Sequence, residues 1–167
     1  MRHCMFGALC LMIGLIVSAA AQDSSMTLAP MATSKFVNMP GVPTCMKIAV
    51  QRGDPSKGPS TMLLKFTPGC QVPWHWHTAG EHLMVVSGSG KAEMKDSKPA
   101  VLKAGDYAYL PAKNIHQFRA ITAVTMFDMP DAAFDIHYVD SAGKEIPPDD
   151  ALKSDKKPMA MKKPMPK

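Results

Sequence analysis

The stretch at residues 69–88, GCQVPWHWHTAGEHLMVVSG, places three histidines and one glutamate among apolar and β-favouring residues. His75 and His77 lie two residues apart, and because side chains alternate along a strand, both imidazoles should project from the same face. Glu81 follows after a short turn and could bring a carboxylate to them. A buried, unpaired carboxylate is costly, whereas a divalent cation between these groups would remove that cost. The stretch therefore predicts a metal site within a β-rich core.

From Thr44 onward the chain is a series of short β-favouring runs separated by turn residues. The intervening segments, such as SGSG and PAKN, contain Gly, Pro, Asn or Ser and suit chain reversals. No stretch of about a dozen residues keeps a helical period. The pattern predicts an all-β domain built as a sandwich or barrel. The runs are residues 45–50, 61–66, 71–76, 81–87, 91–94, 99–102, 107–110, 115–120, 123–129 and 134–139.

The opening stretch resembles the first motif of the cupin superfamily. Its pattern is Gly69, five residues, His75-x-His77, three residues, Glu81, six residues and Gly88. It agrees with the motif at every defined position.

A second segment resembles the second cupin motif in part. Gly105, five residues, Pro111 and then His116 follow the motif. Lys113 stands where the family usually has glycine, and Ala120 stands where it often has asparagine. Neither departure removes a metal-binding position, because the resemblance assigns that role to His116. The turn at Lys113 and the hydrogen bonding near Ala120 are expected to differ.

The resemblance implies a double-stranded β-helix, or jelly-roll barrel, over residues 44–146, with metal ligands His75, His77, Glu81 and His116. It implies one divalent transition metal as cofactor, with iron or manganese expected first and zinc, nickel or copper as alternatives. An octahedral ion would keep positions open for substrate, whereas four protein ligands would close a tetrahedral zinc site. The competing interpretation is a cupin whose four side chains only hydrogen-bond to one another.

Two further histidines are expected to lie outside this site. His82 has the opposite strand parity to Glu81 and should point away from the ligands. His137 is expected on the surface.

Three aromatic residues are candidates for lining the cavity, although no catalytic residue is assigned. Phe118 shares the parity of His116 and is expected in the cavity wall. Tyr107 and Tyr109 share one strand face, and their hydroxyls could orient a ligand. Core packing is the commoner role of such a pair.

Residues 1–21 have the features of a secretion signal: a weakly positive start, an apolar run of about 14 residues and three alanines before Gln22. Cleavage after Ala21 is expected, which would place the protein in the periplasm or outside the cell. An uncleaved anchor is the alternative, but the run is shorter than the roughly 20 residues that cross hydrocarbon. No stable membrane insertion is therefore expected.

Cys45 and Cys70 are the cysteines that would remain after cleavage. In an oxidising compartment they are expected to form a disulfide, which would stabilise the fold by about 3.5 kcal/mol in the chain-entropy model. The alternative is that Cys70 binds metal. Strand alternation argues against it, because positions 70, 72, 74 and 76 should face away from positions 75 and 77, although Pro73 could disturb this parity.

The ends of the mature chain differ in composition from the domain. Residues 22–43 are predicted to form an extended arm, and residues 147–167 a disordered tail rich in Lys, Pro and Met. Such a tail could also touch an anionic surface or bind copper(I) through its thioethers. The net charge of +5 is mostly local, since residues 22–148 hold 12 Lys and Arg against 11 Asp and Glu. No nucleic-acid partner is expected.

The predicted function is that of an exported metal-binding cupin, with a dioxygenase-like, oxygen-dependent oxidation of a small chelating organic molecule as the first candidate activity. Two alternatives stay open: a non-catalytic protein that binds a metal or small ligand, and a metal-dependent isomerase or decarboxylase. Whether the protein is an enzyme is left open, because this barrel hosts many functions. A homodimer is expected from the resemblance alone.

Overall fold

The computed structural model describes residues 26–153, so the predicted signal segment and residues 154–167 of the predicted tail lie outside the described residues. Within the described part, ten strands and one α-helix form, together with a short 3-10 turn at Met31–Thr33. The helix, α1, spans Pro148–Lys153. The strands are β1 (Met46–Arg52), β2 (Thr61–Phe66), β3 (Gln71–Trp76), β4 (Glu81–Ser87), β5 (Ser89–Met94), β6 (Ala100–Lys103), β7 (Tyr107–Leu110), β8 (His116–Ala120), β9 (Val124–Pro130) and β10 (His137–Tyr138).

The strands form two five-stranded antiparallel sheets, in the orders β1-β2-β9-β4-β7 and β10-β3-β8-β5-β6. From β2 to β5 and again from β6 to β10, each strand lies in the opposite sheet to the one before it. These repeated crossings wind the chain into a double-sheeted jelly-roll barrel. The predicted all-β class and barrel architecture are therefore confirmed.

The core fills the space between the two sheets. In β9 every second residue is buried, so Val124 and Met126 face inward with 2% and 1% of their surface exposed. Phe118 and Ala120 face them from β8 in the other sheet. Burying a side chain of this size stabilises the fold by roughly 1.5–3 kcal/mol. Because side chains alternate between the two faces of a strand, only every second residue points into the core.

The parity of β3 changes at Pro73. Val72 pairs with Phe118 and His75 pairs with His116, so three residue steps on β3 match two steps on β8. This irregularity turns both Val72 and His75 toward the interior. The expectation that even and odd positions keep opposite faces across this strand is therefore wrong, and parity does not separate Cys70 from the histidines.

A disulfide removes Cys70 from consideration as a metal ligand. The Sγ atoms of Cys45 and Cys70 lie 2.13 Å apart and the Cα atoms 5.6 Å apart. The pair agrees with the predicted bridge, and it ties the residue before β1 to the residue before β3.

The turn before β8 keeps the conformation that glycine would favour. Lys113 has a φ of 61°, in the left-handed region, which costs a residue with a side chain roughly 1 kcal/mol. Its N–H donates to the carbonyl of His77 at 2.8 Å. The expected difference at this turn is therefore not found in the backbone.

The chain on either side of the barrel packs onto it. Val37 exchanges two backbone hydrogen bonds of 2.9 Å with Ile48, so the arm lies along the edge of β1. Residues 148–153, predicted to be disordered, instead form α1 with Ala151 buried. Pro148 at the first helical position and acidic residues in the first turn favour this helix. Among residues 26–153, no helix has the length and apolar character to cross a membrane.

Candidate metal centre

Four polar side chains meet inside one end of the barrel. His75 lies near the end of β3 and His77 just beyond it, while Glu81 begins β4 and His116 begins β8. The pairing of β3 with β8 sets His75 directly opposite His116. Each of the four residues is only 4% exposed. The structure thus brings together all four residues that the sequence singled out.

The three imidazoles are oriented for a shared ligand. One ligand nitrogen from each of them lies within 4.8 Å of the other two. In each ring Nδ1 contacts a backbone carbonyl, which can only accept, so Nδ1 carries a proton, and a neutral ring in this tautomer presents the lone pair of Nε2. The carbonyls belong to Pro73 for His75, Asp135 for His77 and Asn114 for His116. Three histidines held in this tautomer could hold a metal ion.

Glu81 adds a carboxylate to the same point. Its Oε2 lies 3.2 Å from Nε2 of His77 and 3.5 Å from Nε2 of His116. Burial alone would raise the pKa of Glu81, but the hydrogen bonds from His116 and His77 outweigh it and hold the pKa well below its usual range. Glu81 is therefore ionised and turned toward the imidazoles.

The pKa values of two histidines are shifted in opposite directions. Burial lowers the pKa of His75 well below its usual value, and the nearby His116 and His77 add to this effect. Burial would also lower the pKa of His77, but its contact with Glu81 raises that pKa overall. Imidazole nitrogens with a carboxylate oxygen form a donor set that fits a divalent transition ion.

A second buried acid, Asp128, lies beside Glu81. It sits on β9 with 3% of its surface exposed, and burial, followed by repulsion from Glu81, raises its pKa well above the usual value. Neither motif of the sequence indicated this residue. The available signal was its inward parity with Val124 and Met126, since a carboxylate on the buried face of a strand requires a reason.

The four groups line a mainly apolar cavity of about 60 Å³ between the sheets. Phe118 lies in its wall, together with Leu110 and Met126. The Phe118 ring also packs against Phe66, with the ring centroids 5.2 Å apart.

Tyr107 and Tyr109 do not line this cavity, so their hydroxyls do not orient a ligand there. The alternative, that the two rings pack in the core, is also wrong. They are 53% and 47% exposed on the outer face of β7. The register explains the error, because Tyr109 pairs directly with the outward-facing His82. His82 Nδ1 accepts from the Tyr107 hydroxyl at 2.6 Å, and His82 Nε2 lies 2.9 Å from Asp131.

His137 lies outside the group of four. Its ring stacks on Trp76, with centroids 3.9 Å apart and planes 5° from parallel. Its nitrogens lie 3.3 Å from Asp135 and 2.8 Å from Glu145. Burial alone would lower the pKa of His137, but its hydrogen bonds to Glu145 and Asp135 raise it overall.

Comparison with known proteins agrees with this fold. Residues 62–130 match the family model of the cupin domain. That segment contains all four clustered residues, and the two-sheeted barrel around it is the fold of solved cupins. The matched segment covers 69 of the 167 residues, and over it the chain is similar to the cupin superfamily. No curated protein sequence matches it.

Several solved structures share the barrel. The polyketide cyclase RemF from Streptomyces resistomycificus is similar with a TM-score of 0.60 at 15% identity, over 70% of this chain and 87% of that one. An RmlC-like cupin from Shewanella frigidimarina NCIMB 400 has a TM-score of 0.54 at 18% identity, over 65% and 92%. The DMSP lyase DddQ from Ruegeria pomeroyi DSS-3 has a TM-score of 0.52 at 16% identity, over 60% and 57%. At these identities the similarity concerns the fold alone.

Proposed function

We propose that this cupin binds one divalent transition metal through His75, His77, Glu81 and His116. The observation that carries the proposal is the buried meeting of one carboxylate with three imidazoles whose Nδ1 protons are already engaged by carbonyls. Iron(II) or manganese(II) suits this mixed nitrogen and oxygen donor set, with zinc, nickel and copper as alternatives.

The activity we propose is oxygen-dependent oxidation of a small chelating organic molecule. A bound divalent metal supplies Lewis acidity and a place where dioxygen and a chelating ligand can meet. The protein keeps the Nε2 lone pairs aimed at one point and uses Glu81 to offset part of the ion's charge. Phe118 and Met126 keep the surroundings apolar, which strengthens the electrostatic interactions within the cavity.

The cavity limits the size of the ligand. Its volume of about 60 Å³ corresponds to only about two water molecules at the roughly 30 Å³ that each occupies in liquid water. Drug-sized ligands occupy pockets of roughly 300–1,000 Å³. We therefore propose a substrate that places only a small chelating group inside the barrel, with its chelating oxygens toward the four polar groups and its carbon skeleton against the apolar wall.

A non-catalytic protein that binds a metal or small ligand is the second candidate. The small, mainly apolar cavity favours it, because few groups besides the four ligands and Asp128 could move a proton. A metal-dependent isomerase or decarboxylase would need the same ion without dioxygen. We place the protein in the periplasm or outside the cell, supported by the Cys45–Cys70 pair, because such bonds persist in oxidising compartments.

The first experiment measures metal content. Protein purified from its own source should hold about one metal ion per chain, and elemental analysis identifies that ion. His77→Ala should lower the metal content sharply. His82→Ala is the matched control, because His82 is on the outer face and should leave the metal content unchanged. Equal metal content in wild type and His77→Ala would refute the ligand assignment.

The second experiment separates the candidate activities. Oxygen uptake is followed with iron- or manganese-loaded protein and a panel of small enolate and catechol compounds. Uptake that depends on both metal and compound supports oxidation. Loaded protein that consumes no oxygen but binds a panel compound supports the binding protein, and conversion of a compound without oxygen supports the isomerase or decarboxylase.

A further inference from the structure

His77 is oriented in a different way from the other two histidines. His75 and His116 each donate to a carbonyl two residues earlier in their own segments. His77 lies just beyond the end of β3, and its Nδ1 donates to the carbonyl of Asp135, 58 residues away in the chain. The orientation of this one imidazole therefore depends on how a distant segment is held.

That segment, residues 131–136, is not part of either sheet. It contacts the site through Phe134, whose ring packs on His77 with centroids 5.2 Å apart. The Phe134 N–H donates to the carbonyl of Pro55 at 2.7 Å, which fixes the segment on one side.

The Asp135 carboxylate fixes the segment on the other side. Its Oδ1 accepts from the N–H of Thr78 at 2.8 Å, the residue after His77. Its Oδ2 lies 3.3 Å from Nε2 of His137, at the start of β10. One side chain thus joins the residue after the histidine to the segment that supplies the carbonyl.

His137, the side chain on β10 that Asp135 contacts, is itself held in place by two other residues. His137 is held by Glu145 at 2.8 Å and by its stack on Trp76, the residue before His77. The Asp135 side chain is 37% exposed, so its ion pair with His137 contributes little to global stability. Loss of this carboxylate should disturb the orientation of His77 more than it disturbs the fold.

We infer that Asp135 is a positioning residue for His77. Its carboxylate accepts a hydrogen bond from the Thr78 N–H, and this contact holds the Asp135 carbonyl against His77 Nδ1. The consequence for metal binding rests on the proposed function, whereas the consequence for the His77 tautomer does not. Contacts that orient a metal-binding histidine typically change metal affinity about 10- to 100-fold when removed.

Two variants and one control test the inference in the full chain. Asp135→Ala removes both carboxylate contacts, while Asp135→Asn keeps an oxygen that can accept from Thr78. Asp131→Ala is the control, because Asp131 lies in the same segment and also pairs with a surface histidine, His82. Within residues 26–153, the hydrogen-bond and ion-pair partners of His77 are Asp135 and Glu81 and do not include Asp131. Cobalt(II) affinity is measured by absorption titration against a competing chelator.

We expect Asp135→Ala to weaken cobalt(II) binding by about tenfold or more. Asp135→Asn and Asp131→Ala should stay within about threefold of wild type. An unchanged affinity in Asp135→Ala overturns the inference, and so does an equal loss in Asp135→Ala and Asp135→Asn, because the Thr78 contact would then not be the cause.

A second measurement does not require metal or a variant that folds. At a pH high enough to keep His77 neutral, nitrogen-15 histidine spectra of the chelator-treated wild type should show His77 in the Nδ1–H tautomer, and Asp135→Ala should show a mixture of tautomers. A wild-type His77 in the Nε2–H form overturns the inference even if Asp135→Ala does not fold. If wild type binds no cobalt(II), the proposed metal site fails, while the tautomers still decide the role of Asp135.

Discussion

Gly90 gives the sharpest test of how the cavity wall is packed. A Cβ built at this position on β5 would lie 2.1 Å from Cζ of the Phe118 ring and 2.6 Å from its Cε2. Carbon atoms in favourable contact are about 3.5–4.0 Å apart, so the ring would have to move by more than 1 Å. The space it would enter is limited, because Phe118 packs on Phe66 and borders the cavity of about 60 Å³.

We therefore expect Gly90→Ala to destabilise the protein by about 1–3 kcal/mol, the usual cost of overpacking. Urea unfolding measures this loss as a lower midpoint at unchanged slope. Gly58→Ala is the control, because nothing lies within 4 Å of a Cβ at that position. It should leave stability unchanged or raise it by up to about 1 kcal/mol.

A double-mutant cycle assigns the cause. Phe118→Leu shortens the ring that Gly90→Ala would strike, so Gly90→Ala should cost less in the Phe118→Leu background than in wild type, by about 1 kcal/mol or more. Two results would show the packing argument to be wrong: a Gly90→Ala variant within about 0.5 kcal/mol of wild type, or additive effects of the two substitutions.

Three further predictions concern stability. Replacing Cys45 and Cys70 with serine should cost about 3.5 kcal/mol in urea unfolding, and a loss below 1 kcal/mol would contradict the expected effect of closing this loop. The raised pKa of His137 means that its charged form stabilises the fold below the unfolded pKa, and this contribution is lost as the pH rises through the folded pKa. His137→Gln should therefore destabilise the protein at pH 5.5 by at most about 1 kcal/mol, and by less at pH 8.5. The raised pKa of Asp128 means that the folded protein favours the neutral acid, so the free energy of unfolding is highest below the unfolded pKa and falls as the pH rises toward the folded pKa. In chelator-treated protein, Asp128→Asn should therefore be more stable than wild type at pH 7, with a smaller difference near pH 4. A destabilised Asp128→Asn at pH 7 would contradict that assignment.

The part of the site that the sequence predicted depends on short-range regularities. His75 and His77 share a face because they straddle a single residue beyond the irregularity at Pro73, and the turn that follows returns the chain at Glu81. The placement of these three residues needs only local geometry and residue type. His116 was assigned by the resemblance to the second cupin motif, because no local regularity connects it with the other three.

The errors arose where a partner strand decides the outcome. Tyr107 and Tyr109 were placed by their own parity, but their face follows from pairing with β4, which local sequence does not specify. The prediction that positions 72 and 75 lie on opposite faces was wrong because the irregularity at Pro73 shifts the register of β3 against β8. The sequence of helix α1 contains helix-start signals, Pro148 and acidic residues in the first turn. The Lys-rich composition of the tail nevertheless led to a prediction of disorder there.

Two other residues were missed for different reasons. Asp128 was visible as an acid with inward parity, but its contact with Glu81 needs the pairing of β4 with β9. The role of Asp135 depends on a backbone carbonyl, and every residue has one, so residue type gives no signal for it.

The bridge between Val37 and Ile48 protects an edge of the barrel. β1 is the outermost strand of its sheet, and the unpaired backbone groups of such a strand can recruit a strand from another molecule. The arm occupies part of that edge with its own hydrogen bonds. A chain shortened past Val37 would leave the backbone groups of Ile48 unpaired, and we expect such a chain to self-associate more readily than the full one.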